Sequence, residues 1–262
     1  MFSAQRQAEI LRIVRASQTC TISRLAETFS VSDETIRRNI GPLIADGLLV
    51  KVHGGVMVPD YLDDAPYQRR ILENREAKQA IAACVAQLVR DGDALMLEGG
   101  STCMHIAEAL RSHARLTVVT NAIEVARILA LGGDNRVFMA GGQLRPDDAA
   151  AVDESALAFV RQFHVQFAVA SVTAVDVQGR FMDSLPADAA FSQAIFAQAE
   201  RRIVVADHTK FGHSALIHAF GPDAPHMLVT DEEPAPALAQ VFATAGLEVR
   251  LPATFEKNQN AY

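Results

Sequence analysis

From residue 78 onward the chain repeats one pattern, a segment of helical period followed by a short apolar run. Helices are expected at 80–88, 102–110, 122–131, 189–199 and 236–245, and strands at 94–97, 116–120, 136–140, 167–172, 203–206, 227–229 and 247–251. This alternation restricts the region to an α/β sheet layered with helices, because each strand and each amphipathic helix must bury its apolar side against another layer. No internal repeat or low-complexity tract interrupts the pattern. With 262 residues, 50% of them hydrophobic, the chain exceeds the usual single-domain size of roughly 100–200 residues, so a second domain is expected ahead of the sheet. The expected division is a small domain at 1–58, a linker at 59–77, the α/β domain at 78–255 and a tail at 256–262.

Charge divides the same way. Residues 1–58 hold seven basic groups (Arg6, Arg12, Arg15, Arg24, Arg37, Arg38, Lys51) and five acidic ones (Glu9, Glu27, Asp33, Glu34, Asp46), a balance of +2, so the overall −7 leaves −9 for the remainder. A weakly basic head on an acidic body suits a nucleic-acid reader whose large domain stays off the phosphates. No apolar run approaches the ~20 residues that span a bilayer, and Arg6 and Glu9 interrupt the segment where a secretory signal needs a continuous apolar core. No membrane association and a cytoplasmic location are expected. Cys20, Cys84 and Cys103 are far apart and form no CxxC pair, which excludes the spacing of a disulfide framework or a zinc module. No metal ion or cofactor is expected.

The small domain reads as three short helices and a hairpin. Residues 5–16 carry Ile10, Leu11, Ile13 and Val14 at helical spacing; Thr21 caps a second helix whose apolar side is Leu25, Ala26 and Phe29. After a turn at Ser30-Val31, Ser32 caps a third, with Asp33 and Glu34 at its positive end. At 100° per residue, Ile36, Ile40, Leu43 and Ile44 share one side of that helix, and Glu34 and Arg38 point the opposite way with Thr35 and Arg37 flanking them. A helix-turn-helix needs this arrangement, since arginine near the start of its second helix makes bidentate hydrogen bonds with guanine. Apolar segments at 48–52 and 56–58 surround His53-Gly54-Gly55, a hairpin that forms a wing and brings Lys51 and His53 to the DNA backbone or minor groove. Gly41-Pro42 lies inside the third helix, and a kink or break is expected there, downstream of the reading residues.

The segment "LAETFSVSDETIRRNI…DGLLVKVHGGV" closely resembles the N-terminal signature of the DeoR family of bacterial transcriptional regulators, with its TIRR helix and HGG wing. The resemblance continues in order through "PYQRRILENREAK", "DGDALMLEGGST", "LTVVTNA", "AGGQLR" and "ADHTKFG", nearly the whole chain. It implies an N-terminal winged helix-turn-helix and a C-terminal Rossmannoid domain, similar to ribose-phosphate isomerase, that senses sugar phosphates. Departures from the family pattern are Asn39-Ile40 after TIRR, Glu98 where an aspartate is usual, Asp153 in a glycine-rich segment, and Asp188 and Ser192 where a Glu-then-Lys pair is typical.

Open α/β sheets bind ligands beyond the carboxyl ends of their strands, and four loops there carry suitable groups. Glu98, Gly99, Gly100, Ser101 and Thr102 follow one strand and open a helix, where glycines let backbone N–H groups approach a phosphate. Thr120 and Asn121 follow the next. Gly141, Gly142 and Arg145 lie in "GGQLR", and Asp207 and Lys210 in "DHTK". None of these is a P-loop or a dinucleotide fingerprint. His208, His213 and His218 lack the HExxH spacing of a zinc site, so surface or capping roles are expected.

The function these observations imply is a DNA-binding repressor of a sugar or polyol catabolic operon. Ser32, Glu34, Thr35, Arg37, Arg38, Lys51 and His53 meet double-stranded operator DNA, and a phosphorylated metabolite such as glycerol 3-phosphate relieves repression from the large domain. Repeated operator half-sites imply a homodimer or homotetramer. The rival readings are an isomerase-like enzyme using Glu98 and Asp207, and a regulator whose sensor domain is silent.

Overall fold

The computed structural model describes residues 3–17, 19–45, 49–52, 54–57 and 65–252. These belong to two compact units, 1–65 and 66–262. In the first, α1 (Ser3–Ser17), α2 (Ile22–Phe29) and α3 (Asp33–Ala45) are accompanied by β1 (Thr19–Thr21), β2 (Val50–Val52) and β3 (Gly55–Met57). The strands form an antiparallel sheet in the order β1-β3-β2. Strand β1 was not expected from sequence; three residues give too few alternations to register. Ile10, Val14, Leu25, Ile36, Ile40 and Leu43 share one core, on the stripes that helical spacing predicts.

Pro42 lies within α3, which runs unbroken to Ala45, so the expected break at Gly41 is absent. Gly41 and Pro42 are both exposed, and an added Cβ at Gly41 meets no atom within 4 Å. The ring therefore faces solvent, and the local cost is the N–H that Arg38's carbonyl loses.

In the second unit, β4 (Ala94–Leu97), β5 (Thr117–Thr120), β6 (Arg136–Met139), β7 (Val165–Ser171), β10 (Ala199–Val205), β12 (Met227–Val229) and β13 (Glu248–Arg250) form a seven-stranded sheet in the order β13-β12-β10-β7-β4-β5-β6. All its pairings are parallel. A parallel sheet is buried on both faces, and the strands obey a period of two accordingly. Leu95, Leu97, Phe167, Val169, Ile203 and Val205 pack beneath α5 (Arg75–Ala86), α6 (Ser101–Ala109) and α7 (Ile123–Ala130). Met96, Ala168, Ala170 and Val204 join the opposite core with α8 (Glu154–Val160), α9 (Pro186–Phe196) and α10 (Pro236–Ala245). A small antiparallel sheet, β11-β9-β8, is built from β8 (Ala174–Val175), β9 (Phe181–Asp183) and β11 (Ile217–Phe220).

Residues 66–77, expected to be linker, instead carry α4 (Tyr67–Leu72) and the start of α5. Tyr67 is buried, and its backbone N–H bonds to Asp147, which also pairs with Arg70.

Candidate effector site and DNA-reading helix

Sheet order fixes where a ligand can enter. From β4 the chain builds outward through β5 and β6, then returns to add β7, β10, β12 and β13 on the other side. The direction reverses between β4 and β7, and in an open α/β sheet the crevice beyond the carboxyl ends at such a reversal is the ligand position. Two loops meet there. Glu98 Oε2 accepts the backbone N–H of Ser171 at 3.1 Å, and a Cβ added to Gly100 would stand 2.6 Å from Ser171 Oγ. Gly100 has φ +129°, so this position requires glycine for its backbone angle and for its proximity to Ser171.

On one side of Gly100 lies a cationic cluster. Lys78, 4% exposed, donates to Ser101 Oγ at 3.0 Å and to the Arg70 carbonyl at 2.5 Å. Burial pulls its pKa down to about 8; Asp207 acts in the opposite sense, and Lys210 and Arg70 add to the fall. Lys210 is thus near enough to act on the charge of Lys78. Asp207 is 1% exposed. One of its oxygens accepts from Thr209 and from Asn74 Nδ2, and the other is buried without a hydrogen-bond partner.

On the other side Glu98 is 6% exposed, and its Oε1 accepts from the fully buried Ser192 hydroxyl at 2.7 Å. Burial, reinforced by nearby Asp183, raises its pKa well above the ordinary carboxylate range. Cys103, fully buried beside Glu98, is likewise pushed up by burial and is an inert thiol.

The remaining expected site residues are engaged otherwise. Thr102 is buried in α6; Thr120 Oγ1 accepts from Ala122 N, and Asn121 bridges Gly99 N at 2.9 Å and the Ala151 carbonyl at 3.1 Å. They hold the Glu98–Ser101 loop. Gly141 is exposed, and Gly142 leaves room for Asp153, which accepts from Gln143 N at 2.8 Å and caps α8 through Ala156 N. Asp153 therefore organises this loop. Arg145 makes paired contacts with Asp148, at 2.9 and 2.5 Å, and with both oxygens of Asp188 at 2.9 Å. Its guanidinium is already matched by two carboxylates.

Asn74 fell in the expected linker and Lys78 at the first position of the expected α/β domain, just ahead of its first helix, so neither was taken as a site residue, yet a signal exists for Lys78. Residues 78, 81, 82 and 85 share the buried side of α5, so a lysine occupies an apolar stripe. His208 keeps a partly exposed place, and two carboxylates approach it. Asp231 accepts its backbone N–H at 2.7 Å and its Nδ1 at 2.6 Å, while Glu232 lies at 3.8 Å. The hydrogen bond to Asp231 raises the His208 pKa, and the pair clasps the turn that carries Asp207 and Lys210 to the loop after β12.

In the first unit, Glu34, Arg37 and Arg38 are exposed on α3, and Thr35 is half-buried. Ser32 Oγ accepts Thr35 N at 3.3 Å and contacts Thr35 Oγ1 at 3.0 Å, which fixes the start of the helix. Asn39 is turned inward, donating to the Thr35 carbonyl at 2.7 Å, so it is unavailable to bases. Lys51 is exposed on β2; His53 lies outside the described residues. The Gly54 carbonyl accepts Ile22 N, and a Cβ at Gly55 would lie 2.5 Å from the Cys20 carbonyl oxygen.

Residues 6–61 match the DeoR-like helix-turn-helix domain and residues 73–232 the DeoR C terminal sensor domain. The chain belongs to the DeoR family. Among DeoR-type relatives, it is 30% identical over 251 residues to the Glycerol-3-phosphate regulon repressor of Escherichia coli (strain K12), covering 96% of this chain and 100% of that one. It is 32% identical over 247 residues to the HTH-type transcriptional repressor CsqR of the same strain, covering 94% and 95%. Ribose 5-phosphate isomerase A from Methanocaldococcus jannaschii overlays 53% of this chain and 55% of its own at TM-score 0.39 and 15% identity, an overlap too partial to carry weight. Among the described residues of this DeoR-family regulator, no helix is long and apolar enough to cross a membrane.

Proposed function

We propose that this DeoR-family chain represses a sugar or polyol catabolic operon and releases it when a phosphorylated metabolite such as glycerol 3-phosphate binds beside Gly100. The carrying observation is the buried Lys78 donating to Ser101 beside Gly100 at the topological reversal of the sheet, with Lys210 near enough to act on its charge as a repulsion. A phosphate dianion relieves that repulsion, and Ser101 lies at the N-terminal start of α6, where the helix dipole favours negative charge. The name of the Escherichia coli relative supports glycerol 3-phosphate as the first metabolite to test. Asp207 accepts a neighbouring hydroxyl, and Glu98, Gly99, Thr102, Thr120, Asn121, Gly141, Gly142 and Arg145 act as framework around it.

On DNA, Arg37 and Arg38 read base edges from the exposed side of α3, with Glu34 and Thr35 beside them. Ser32 shapes the helix entry, and Lys51 and His53 meet phosphates from the wing. Two half-sites one turn apart require at least a homodimer, acting in the cytoplasm. Release follows only if the metabolite prefers the weakly binding conformation.

Fluorescence anisotropy on DNA from upstream of the chain's own gene, against scrambled DNA at fixed salt, tests both halves. Specific binding is expected to vanish in Arg37→Ala/Arg38→Ala, and glycerol 3-phosphate is expected to weaken it in the natural chain but not in Lys78→Met. Equal affinity for scrambled DNA refutes the reader, and an undiminished response in Lys78→Met refutes the phosphate site.

A further inference from the structure

At the carboxyl edge of the large sheet, two loops bring three metal-ligating side chains together, the first two of them 23 positions apart. Strands β10 and β12 are parallel neighbours with Val205 opposite Val229, so the turn His208–Lys210 and the pair Asp231-Glu232 leave the sheet side by side. His208, Asp231 and Glu232 each offer one ligand atom, and these atoms lie within 4.8 Å of one another. The Asp231 side chain is 10% exposed, and its Oδ1 accepts the His208 backbone N–H at 2.7 Å. That bond holds the carboxylate with Oδ2 2.6 Å from the imidazole Nδ1. Glu232 Oε1 lies 3.8 Å from the same nitrogen. Among the described residues, no arginine or lysine pairs with either carboxylate.

We propose that His208, Asp231 and Glu232 form a binding site for a divalent transition-metal ion of zinc's class, with water completing the coordination. The site stands apart from the phosphate reading and does not depend on it. An imidazole selects ions of borderline softness over magnesium and calcium, and one histidine with two carboxylates lies within zinc's donor set. Three protein ligands leave a tetrahedral ion one open position, and the side chains of His208, 41% exposed, and Glu232, 66% exposed, give it access to solvent. Bonds of about 2.0–2.1 Å place ligand atoms about 3.3 Å apart. The separation of His208 from Asp231 must therefore open by about 0.7 Å and that from Glu232 close by about 0.5 Å, movements that side-chain rotation supplies. The ion replaces the proton between Nδ1 and Oδ2, and its charge offsets the two carboxylates. The His208 N–H on Asp231 Oδ1 is the outer hydrogen bond that orients a ligating carboxylate. HExxH spacing places zinc ligands on one helix; here they come from the ends of two strands, so spacing along the chain gave no sign of them. A bound ion ties the turn that carries Lys210 to the loop after β12.

The test is calorimetry on the full chain, stripped with a chelator and dialysed, then titrated with zinc chloride and separately with magnesium chloride. Zinc is expected to bind at this site at least about tenfold more weakly in His208→Ala and in Glu232→Gln. His213→Ala, which removes an exposed histidine outside the cluster, should leave the affinity unchanged. Glu232 is exposed, so its substitution leaves the fold intact and the test stands on that variant where His208→Ala disturbs the turn. Zinc should also raise the Tm of the natural chain more than that of Glu232→Gln, because binding to the folded state stabilises it by mass action. No zinc binding, zinc binding of equal affinity in His208→Ala and Glu232→Gln, or magnesium binding as tight as zinc each overturns the proposal.

Discussion

Arg145 was expected to cradle an effector phosphate, and its geometry instead makes it a structural cation whose removal should be measured as lost stability. Its side chain is 25% exposed, as is that of Asp188, while Asp148 is 3% exposed. Arg145→Met removes both ion pairs and leaves the Asp148 carboxylate buried with the Ala150 N–H at 3.2 Å as its remaining contact. Breaking a buried pair from one side costs about 3–5 kcal/mol, and the partial exposure of the arginine places this case near 3. For a domain of this size, 1 kcal/mol moves Tm by roughly 2–4 °C, so a fall of about 6–12 °C is expected. Thermal and urea unfolding of the natural chain, Arg145→Met, Asp148→Asn and the double variant form the assay. If the pair carries the cost, the double variant should recover at least about 1 kcal/mol relative to additivity. The pH dependence has a definite sign. Burial alone would raise the Asp148 pKa, but hydrogen bonds and charge from Arg145 bring it below the ordinary range. The pair's contribution is then complete above the unfolded carboxylate value near 4 and is lost as pH falls through the lower folded value. A Tm change under about 2 °C combined with a tenfold loss of phosphate binding would refute the structural assignment and restore Arg145 to the effector site.

Three further outcomes are expected. Gly55→Ala places a Cβ 2.5 Å from a backbone carbonyl of β1, and should destabilise the N-terminal unit by about 1–3 kcal/mol in thermal unfolding, whereas Gly41→Ala, with no atom within 4 Å, should stabilise it by about 0.5–1. Pro42→Ala returns an N–H to the Arg38 carbonyl and should raise the same transition by about 1–3 kcal/mol while operator affinity changes less than about threefold; collapse of specific binding would show that Pro42 shapes the reading face. Proton NMR should place the His208 pKa above the free histidine value, and Asp231→Asn should return it toward that value; the clasp's contribution to stability is complete below about pH 6.5 and is lost as pH rises through the folded pKa, so a clasp that strengthens with pH contradicts it.

The elements most legible in sequence were those whose burial repeats many times. The seven strands of the large sheet were expected as short apolar runs alternating with helical segments, and α3 because Ile36, Ile40 and Leu43 repeat on one side. A short element stabilised by a partner distant in sequence was not legible: β1 depends on pairing with β3. Site residues divided on similar lines. Gly100 and Gly142 were expected to admit a phosphate, and the close neighbours they admit in the fold are Ser171 and Asp153. Which cation stands free was not legible, because it depends on carboxylates 3 and 43 positions from Arg145. Lys78 was hidden for another reason: it stood just ahead of the helix expected at 80–88, so its place on a buried stripe went unread.

Glu98, Asp188 and Ser192 make better sense as one arrangement than as three separate features. A lysine at 192 would neutralise an ionised carboxylate at 98; with Ser192 there, burial drives Glu98 toward its protonated form, and the hydroxyl satisfies it without adding charge. Asp188 then has Arg145 as its bidentate partner, and Arg145 in turn compensates the buried Asp148. Reverting one position alone would therefore disturb the others: Ser192→Lys restores a cation beside Glu98 but also places it near the Asp188 carboxylate that Arg145 needs. A coupled set of this kind leaves Lys78 as the cation bonded to Ser101 and, under the function proposed above, directs an effector's anionic end to the Lys78 side of Gly100.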